Sequence, residues 1–109
     1  MGPAPEIVPA EAADEIAAGA LVVDVREPAE WDAGHIAGAV LIPLGELGPR
    51  VEELPRDRRM VIVCRTGSRS GYAADALHGA GYDVVNLRGG LFAWAAASLP
   101  LDPEGGYVL

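Results

Sequence analysis

The chain holds one cysteine, Cys64, followed by Arg65-Thr66-Gly67-Ser68-Arg69-Ser70. A thiol in such a setting is suited to nucleophilic chemistry, provided it is present as the thiolate. Gly67 permits a tight turn in which successive main-chain N–H groups point inward as an anion-binding nest. A helix starting at Ser68 adds its dipole and its unpaired first amides. Arg65 and Arg69 bring positive charge, and Ser68 and Ser70 are suited to capping the helix or donating a hydroxyl hydrogen bond. Every one of these features favours the thiolate, so a pKa ordinarily near 8.5 is expected to fall towards or below neutrality. The plain alternative is an inert, buried cysteine ending a strand. The turn, the two arginines and the helix start together favour a reactive one.

Composition excludes several other chemistries. The 109 residues, half of them apolar, read as one globular domain over residues 1–109, with a core from about 6 to 101 and a loose tail over 102–109. All eight basic residues are arginine, so there is no lysine to form a Schiff base or to serve a P-loop. One cysteine makes no internal disulfide, and with two histidines it makes no Cys-rich zinc site, so neither a metal nor a cofactor is expected. A formal charge of −8 repels phosphate backbones and anionic lipid, so neither nucleic acid nor a membrane surface is an expected partner. No run approaches the ~20 apolar residues of a membrane span. The first residues carry no basic segment followed by an apolar one, so no secretory signal is read there. With its thiol unpaired, the chain is expected in the reducing cytoplasm.

The elements that must position Cys64 alternate in period. Ile7-Val8, Leu21–Val25, Ala39–Ile42, Met60–Val63 and Val84–Leu87 have strand length and strand composition. Between them, Glu11–Ala18, Pro28–Ala33, Ser68–Ala80 and Leu91–Ala97 read as helices, and Gly48-Pro49 limits residues 45–54 to short helical pieces. In Ser68–Ala80 the apolar stripe is Tyr72, Ala73, Ala76, Leu77 and Ala80. Strands this uniformly apolar, alternating with helices, predict an α/β fold: a central, mainly parallel sheet of about five strands covered by helices on both sides. Ligands of such sheets gather beyond the carboxyl ends of the strands, where Cys64 ends the most apolar one.

Cys64-Arg-Thr-Gly-Ser-Arg-Ser70 resembles the active-site loop of the rhodanese-type sulfurtransferases. Two further stretches match that family in order: Asp24-Val-Arg-Glu27 followed by Glu30-Trp31 and Gly34-His-Ile-Ala-Gly-Ala39, and Gly89-Gly90 followed by Ala93-Trp94. The resemblance runs from about Glu6 to Leu101 and implies a rhodanese-like three-layer α/β/α fold. It also implies a mechanism. Cys64 takes the outer sulfur of a donor such as thiosulfate or a persulfide, becomes a persulfide itself, and passes that sulfur to cyanide or a thiol. The amides of Arg65, Thr66, Gly67, Ser68 and Arg69 would cradle the added sulfur, and Arg65 and Arg69 would attract an anionic donor. The same chemistry would serve a carrier that hands sulfur to a protein acceptor, while a binding module on this fold would have no use for Cys64. The Cys-x4-Arg spacing is shorter than the Cys-x5-Arg of the related phosphatases, and the loop differs from the Cys-Gly-Ser-Gly-Val of mercaptopyruvate sulfurtransferases. Leu41 departs from the family, many of whose members have a polar residue there.

Four residues outside the loop read as supports. Asp24 is placed to accept backbone amides and shape the site, and Arg26 is expected to pair with Glu30 in a charge network after the second strand. His35, in a glycine-flanked turn, reads as a structural histidine bonded to backbone. Trp31 and Trp94 read as core anchors, and His78 as exposed.

Overall fold

A computed structural model describes residues 2–109. Its elements are β1 (Glu6–Ile7), α1 (Pro9–Ala17), β2 (Leu21–Asp24), α2 (Pro28–Ala33), β3 (Val40–Leu41), α3 (Leu47–Arg50), β4 (Met60–Val63), α4 (Ser68–Gly79), β5 (Val84–Leu87) and α5 (Gly90–Ala96). The five strands form one sheet in the order β1-β5-β4-β2-β3, and every pairing is parallel. The expected fold class is therefore present. Single 3-10 turns flank α3, as the Gly48-Pro49 break requires. No described helix is long and apolar enough to cross a membrane.

β4 lies at the centre, paired with β2 on one side and β5 on the other. All four of its residues are buried, and their alternation divides the core into two layers. Met60, Ile62 and Cys64 join Ala73 and Leu77 of α4 on one face, while Val61 and Val63 join Ala12 of α1 and Leu91 and Trp94 of α5 on the other. Full burial of a Val or Leu side chain is worth roughly 1.5–3 kcal/mol. A strand buried on both faces gains this at every residue, so Cys64 leaves a firmly held element of the fold.

Two expectations need correction. α4 buries Ser70, Ala73, Ala74 and Leu77, and not the stripe of Tyr72, Ala76 and Ala80 around Ala73 and Leu77. Tyr72 is 74% exposed. The buried face begins at Ser70 because the first turn of α4 closes on the Cys64 sulfur, which turns the helix by about one position.

The second correction concerns residues 102–109, expected to be loose. Asp102 and His35 exchange backbone hydrogen bonds of 2.7 and 2.9 Å, and the Tyr107 N–H donates to the Ala33 carbonyl at 2.9 Å. A Cβ on Gly34 would lie 2.6 Å from the Tyr107 carbonyl oxygen, so only glycine lets the tail approach so closely. Val108 packs on the layer formed by Leu91 and Trp94. Pro103 and Gly105-Gly106 suggest looseness by composition, but the partners that hold the tail lie in a segment some seventy positions earlier.

Candidate active site

The loop from Cys64 to α4 is a tight cup around one sulfur atom. Gly67 precedes the helix in the left-handed region at φ 102°, a conformation that favours glycine. Its N–H donates to Cys64 Sγ at 3.1 Å, and the Ser70 hydroxyl donates to the same sulfur at 3.3 Å. The amides of Thr66 and Ser70 also act on it. Burial alone would push the thiol up, and it is the largest single influence. The Ser70 hydroxyl and the amides of Ser70, Gly67 and Thr66 together outweigh it, so the Cys64 pKa lies below its ordinary value. Ser70 thus serves the sulfur directly and caps nothing; Ser68 is the exposed first residue of α4, and Gly67 stands at the N-cap.

α5 supports the loop from behind. The Leu91 N–H donates to the Cys64 carbonyl at 2.8 Å and the Phe92 N–H to the Arg65 carbonyl at 2.9 Å. A Cβ on Gly90 would lie 2.5 Å from the Arg65 oxygen and 2.6 Å from that of Cys64, which explains the glycine at the head of α5. Asn86 is a support that the reading of the sequence missed. It is buried in β5, and its Nδ2 donates to the Gly67 carbonyl at 3.2 Å and to Glu6 Oε2 at 3.0 Å. The signal was present, since Asn86 is the polar residue inside the apolar run Val84–Leu87.

The charge network after β2 is wired differently from the expected Arg26–Glu30 pair. Arg26 Nε donates to Asp24 Oδ1 at 2.9 Å and Nη2 to Oδ2 at 2.8 Å, with both side chains fully buried. Asp24 also accepts the Arg26 amide at 3.1 Å, so its expected role towards backbone is present. Arg26 reaches Glu30 only at its carbonyl, at 3.2 Å, and takes the Gly34 carbonyl at 2.9 Å. A planar guanidinium with five donors suits this geometry, and with its bonds made it can be buried. The Glu30 carboxylate is left for Arg69, whose Nη1 and Nη2 each donate to one of its oxygens at 2.8 Å. Those bonds hold Glu30 down to about 2. Glu30 Oε1 also accepts the Glu27 amide at 3.1 Å, as a residue in the first turn of a helix does when it closes the N-terminus.

Neither loop arginine hydrogen-bonds to the sulfur. Arg69 is engaged by Glu30, and Arg65 Nε donates to the main-chain oxygen of Leu109 at 2.9 Å with its guanidinium 5.8 Å from the Phe92 ring centroid. His35 behaves as a structural histidine: Nδ1 bonds to the Trp31 carbonyl at 2.9 Å, and its ring stacks on Trp31 at 3.7 Å. Trp31 itself is half-buried, whereas Trp94 is buried with Nε1 donating to the Pro100 carbonyl at 2.8 Å. His78 is half-buried rather than exposed.

A lone thiol at the carboxyl end of a parallel strand, cupped by amides at a helix N-terminus, defines a class of cysteine-nucleophile α/β proteins. Within that class the chain belongs to the rhodanese-like domain family, whose pattern it matches over residues 8–97. It is 47% identical over 87 residues to a protein named sulfurtransferase from Allochromatium vinosum, covering 78% of this chain and 81% of that one. It is 44% identical over 99 residues, 86% of its length, to a probable adenylyltransferase/sulfurtransferase, MoeZ, of Mycobacterium tuberculosis, of which it spans 25%. Among solved structures, a rhodanese-related protein from Thermoplasma volcanium superimposes with a TM-score of 0.86 at 34% identity, over 89% of this chain and 96% of that one.

Proposed function

We propose that this chain, as a single domain, is a sulfurtransferase that moves sulfane sulfur from thiosulfate or a persulfide to cyanide or a thiol through a persulfide on Cys64. The observation that carries the reading is the sulfur's own environment: Cys64 Sγ accepts the Gly67 N–H and the Ser70 hydroxyl, and its pKa is lowered. Family membership and a relative named sulfurtransferase support the same class of reaction.

In the first half-reaction the thiolate attacks the outer sulfur of thiosulfate. The new S–S bond forms, the sulfur–sulfur bond of the donor breaks, and sulfite leaves with the electron pair. In the second half-reaction cyanide attacks the terminal sulfur, thiocyanate departs, and the thiolate is restored. The sulfur changes hands twice and no proton need move, so the site requires no general base. The cup serves both steps, because amides aimed at a single sulfur stabilise the negative charge as it shifts outward onto the persulfide. Cys64 itself is only 1% exposed. The unpaired thiol fits a reducing, cytoplasmic setting.

The test is thiosulfate:cyanide turnover by the unaltered chain and by Cys64→Ser, with intact-mass measurement after thiosulfate alone. The expected result is turnover and a gain of one sulfur atom, both lost in the variant. Thiocyanate formation that survives in Cys64→Ser overturns the mechanism. A persulfide that forms without turnover assigns the chain to sulfur delivery to a protein acceptor.

A further inference from the structure

Arg26 is neutralised by Asp24 and Arg69 by Glu30, whereas no Asp or Glu side chain among the described residues pairs with Arg65. Arg65 is also the loop residue that the tail reaches. The tail is fixed at three points on the way: Asp102 to His35, Tyr107 to Ala33 and Val108 on the apolar layer. Its last bond joins Arg65 Nε to the Leu109 oxygen at 2.9 Å, with the guanidinium 5.8 Å from the ring centroid of Phe92, which is itself 59% exposed. Arg65, the first residue after Cys64, is therefore tethered by the tail's main chain beside an aromatic ring.

We propose that the tail segment Tyr107–Leu109 sets donor specificity by holding Arg65 away from the donor, so that the site prefers a low-charge persulfide over dianionic thiosulfate. This rests on the sulfurtransferase reading above and narrows its donor. A persulfide of a neutral thiol transfers its terminal sulfur to Cys64 as the S–S bond of the donor breaks and the thiol leaves as thiolate. At most one negative charge enters the cup, and the amides already present accommodate it. Thiosulfate carries two charges and releases sulfite, also a dianion, so it draws most benefit from a free guanidinium, which fits oxyanions in a bidentate way.

The experiment measures KM for thiosulfate and for the persulfide of 2-mercaptoethanol in the unaltered chain, in a variant lacking residues 107–109, and in Gly34→Ala. The last variant keeps every tail residue but places a methyl 2.6 Å from the Tyr107 oxygen, displacing the tail from the full-length chain. The expected result is a fall in thiosulfate KM of roughly threefold to tenfold in both variants, with the persulfide KM within twofold of its starting value. On an Arg65→Ala background, tail removal should leave both constants unchanged. Equal changes for the two donors, or a thiosulfate effect that persists without Arg65, overturns the proposal while leaving sulfur transfer standing. If the unaltered chain turns over neither donor, the sulfurtransferase reading and this one fall together.

Discussion

Glu30 and Arg69 stand 39 positions apart and meet through two 2.8 Å hydrogen bonds, one to each carboxylate oxygen. The pair joins α2 to the first turn of α4, and so fixes the thiol's cup against the end of the neighbouring strand. It also gives Arg69, the arginine expected to attract an anionic donor, a carboxylate partner within the protein.

That pair is pH-sensitive at the acid end. Glu30 has a folded pKa of about 2 against an ordinary 4.5, held there mainly by Arg69. Between those values the unfolded chain binds more protons, so stability rises with pH: the contribution is complete above about 4.5 and is lost as pH falls through about 2. Because the Arg69 side chain is 36% exposed, solvent screening reduces the contribution. It is expected to be about 1–2 kcal/mol. Urea unfolding of Glu30→Gln should show that deficit at pH 6, shrinking towards zero near pH 2. A constant deficit across the range contradicts the assignment.

Removing Arg69 exposes the Glu30 carboxylate to any anionic donor. For Arg69→Ala we expect a thiosulfate KM raised by roughly fivefold, from about 1 kcal/mol of unfavourable charge at partial exposure. An unchanged KM would show that the cup's amides alone bind the donor.

Ser70 is the side chain that acts on the sulfur itself, and its hydroxyl leads the influences that lower the thiol's pKa. The pH profile of iodoacetamide alkylation should have its inflection below the ~8.5 of a free cysteine. In Ser70→Ala the inflection should move upward with the fold intact. If it stays in place, the amides suffice without the hydroxyl.

Asp24 and Arg26 are a fully buried pair, so removing one partner strands the other. Asp24→Ala is expected to lose about 3–5 kcal/mol of unfolding free energy. A loss below about 1 kcal/mol, the range of exposed pairs, would mean that water reaches Arg26.

Gly90→Ala tests the support behind the loop. The added methyl meets the Arg65 and Cys64 carbonyls at 2.5 and 2.6 Å, at a residue with φ 62°. Strain and displaced backbone together should destabilise by about 2–4 kcal/mol. Turnover should fall as well, because the displaced carbonyls belong to the residues that shape the cup.

The fold and the thiol's surroundings were legible because both are written locally. Met60–Val63 and Val84–Leu87 announce buried strands by composition, and the loop after Cys64 announces its turn through Gly67 and its helix through Ser68–Ala80. Pairings across the chain were not legible. Arg26 has two acidic neighbours at suitable spacing, and only the burial of Asp24 beside it decides between them. Glu30 is diverted by Arg69, and the tail is held by Ala33, His35 and Arg65, contacts that leave no periodic trace. Asn86 was overlooked because a strand pattern tolerates one polar residue without stating what it touches.

The alternation along β4 turns reactivity into a question of parity. Cys64 shares a face with Met60 and Ile62, two and four positions back, and that face is the one α4 covers. One residue inserted or deleted between Met60 and Cys64 would move the sulfur to the side of α5. A largely apolar strand would still have apolar surfaces to meet on either side, so such a chain could keep its sheet and yet carry a thiol with no cup to ionise it.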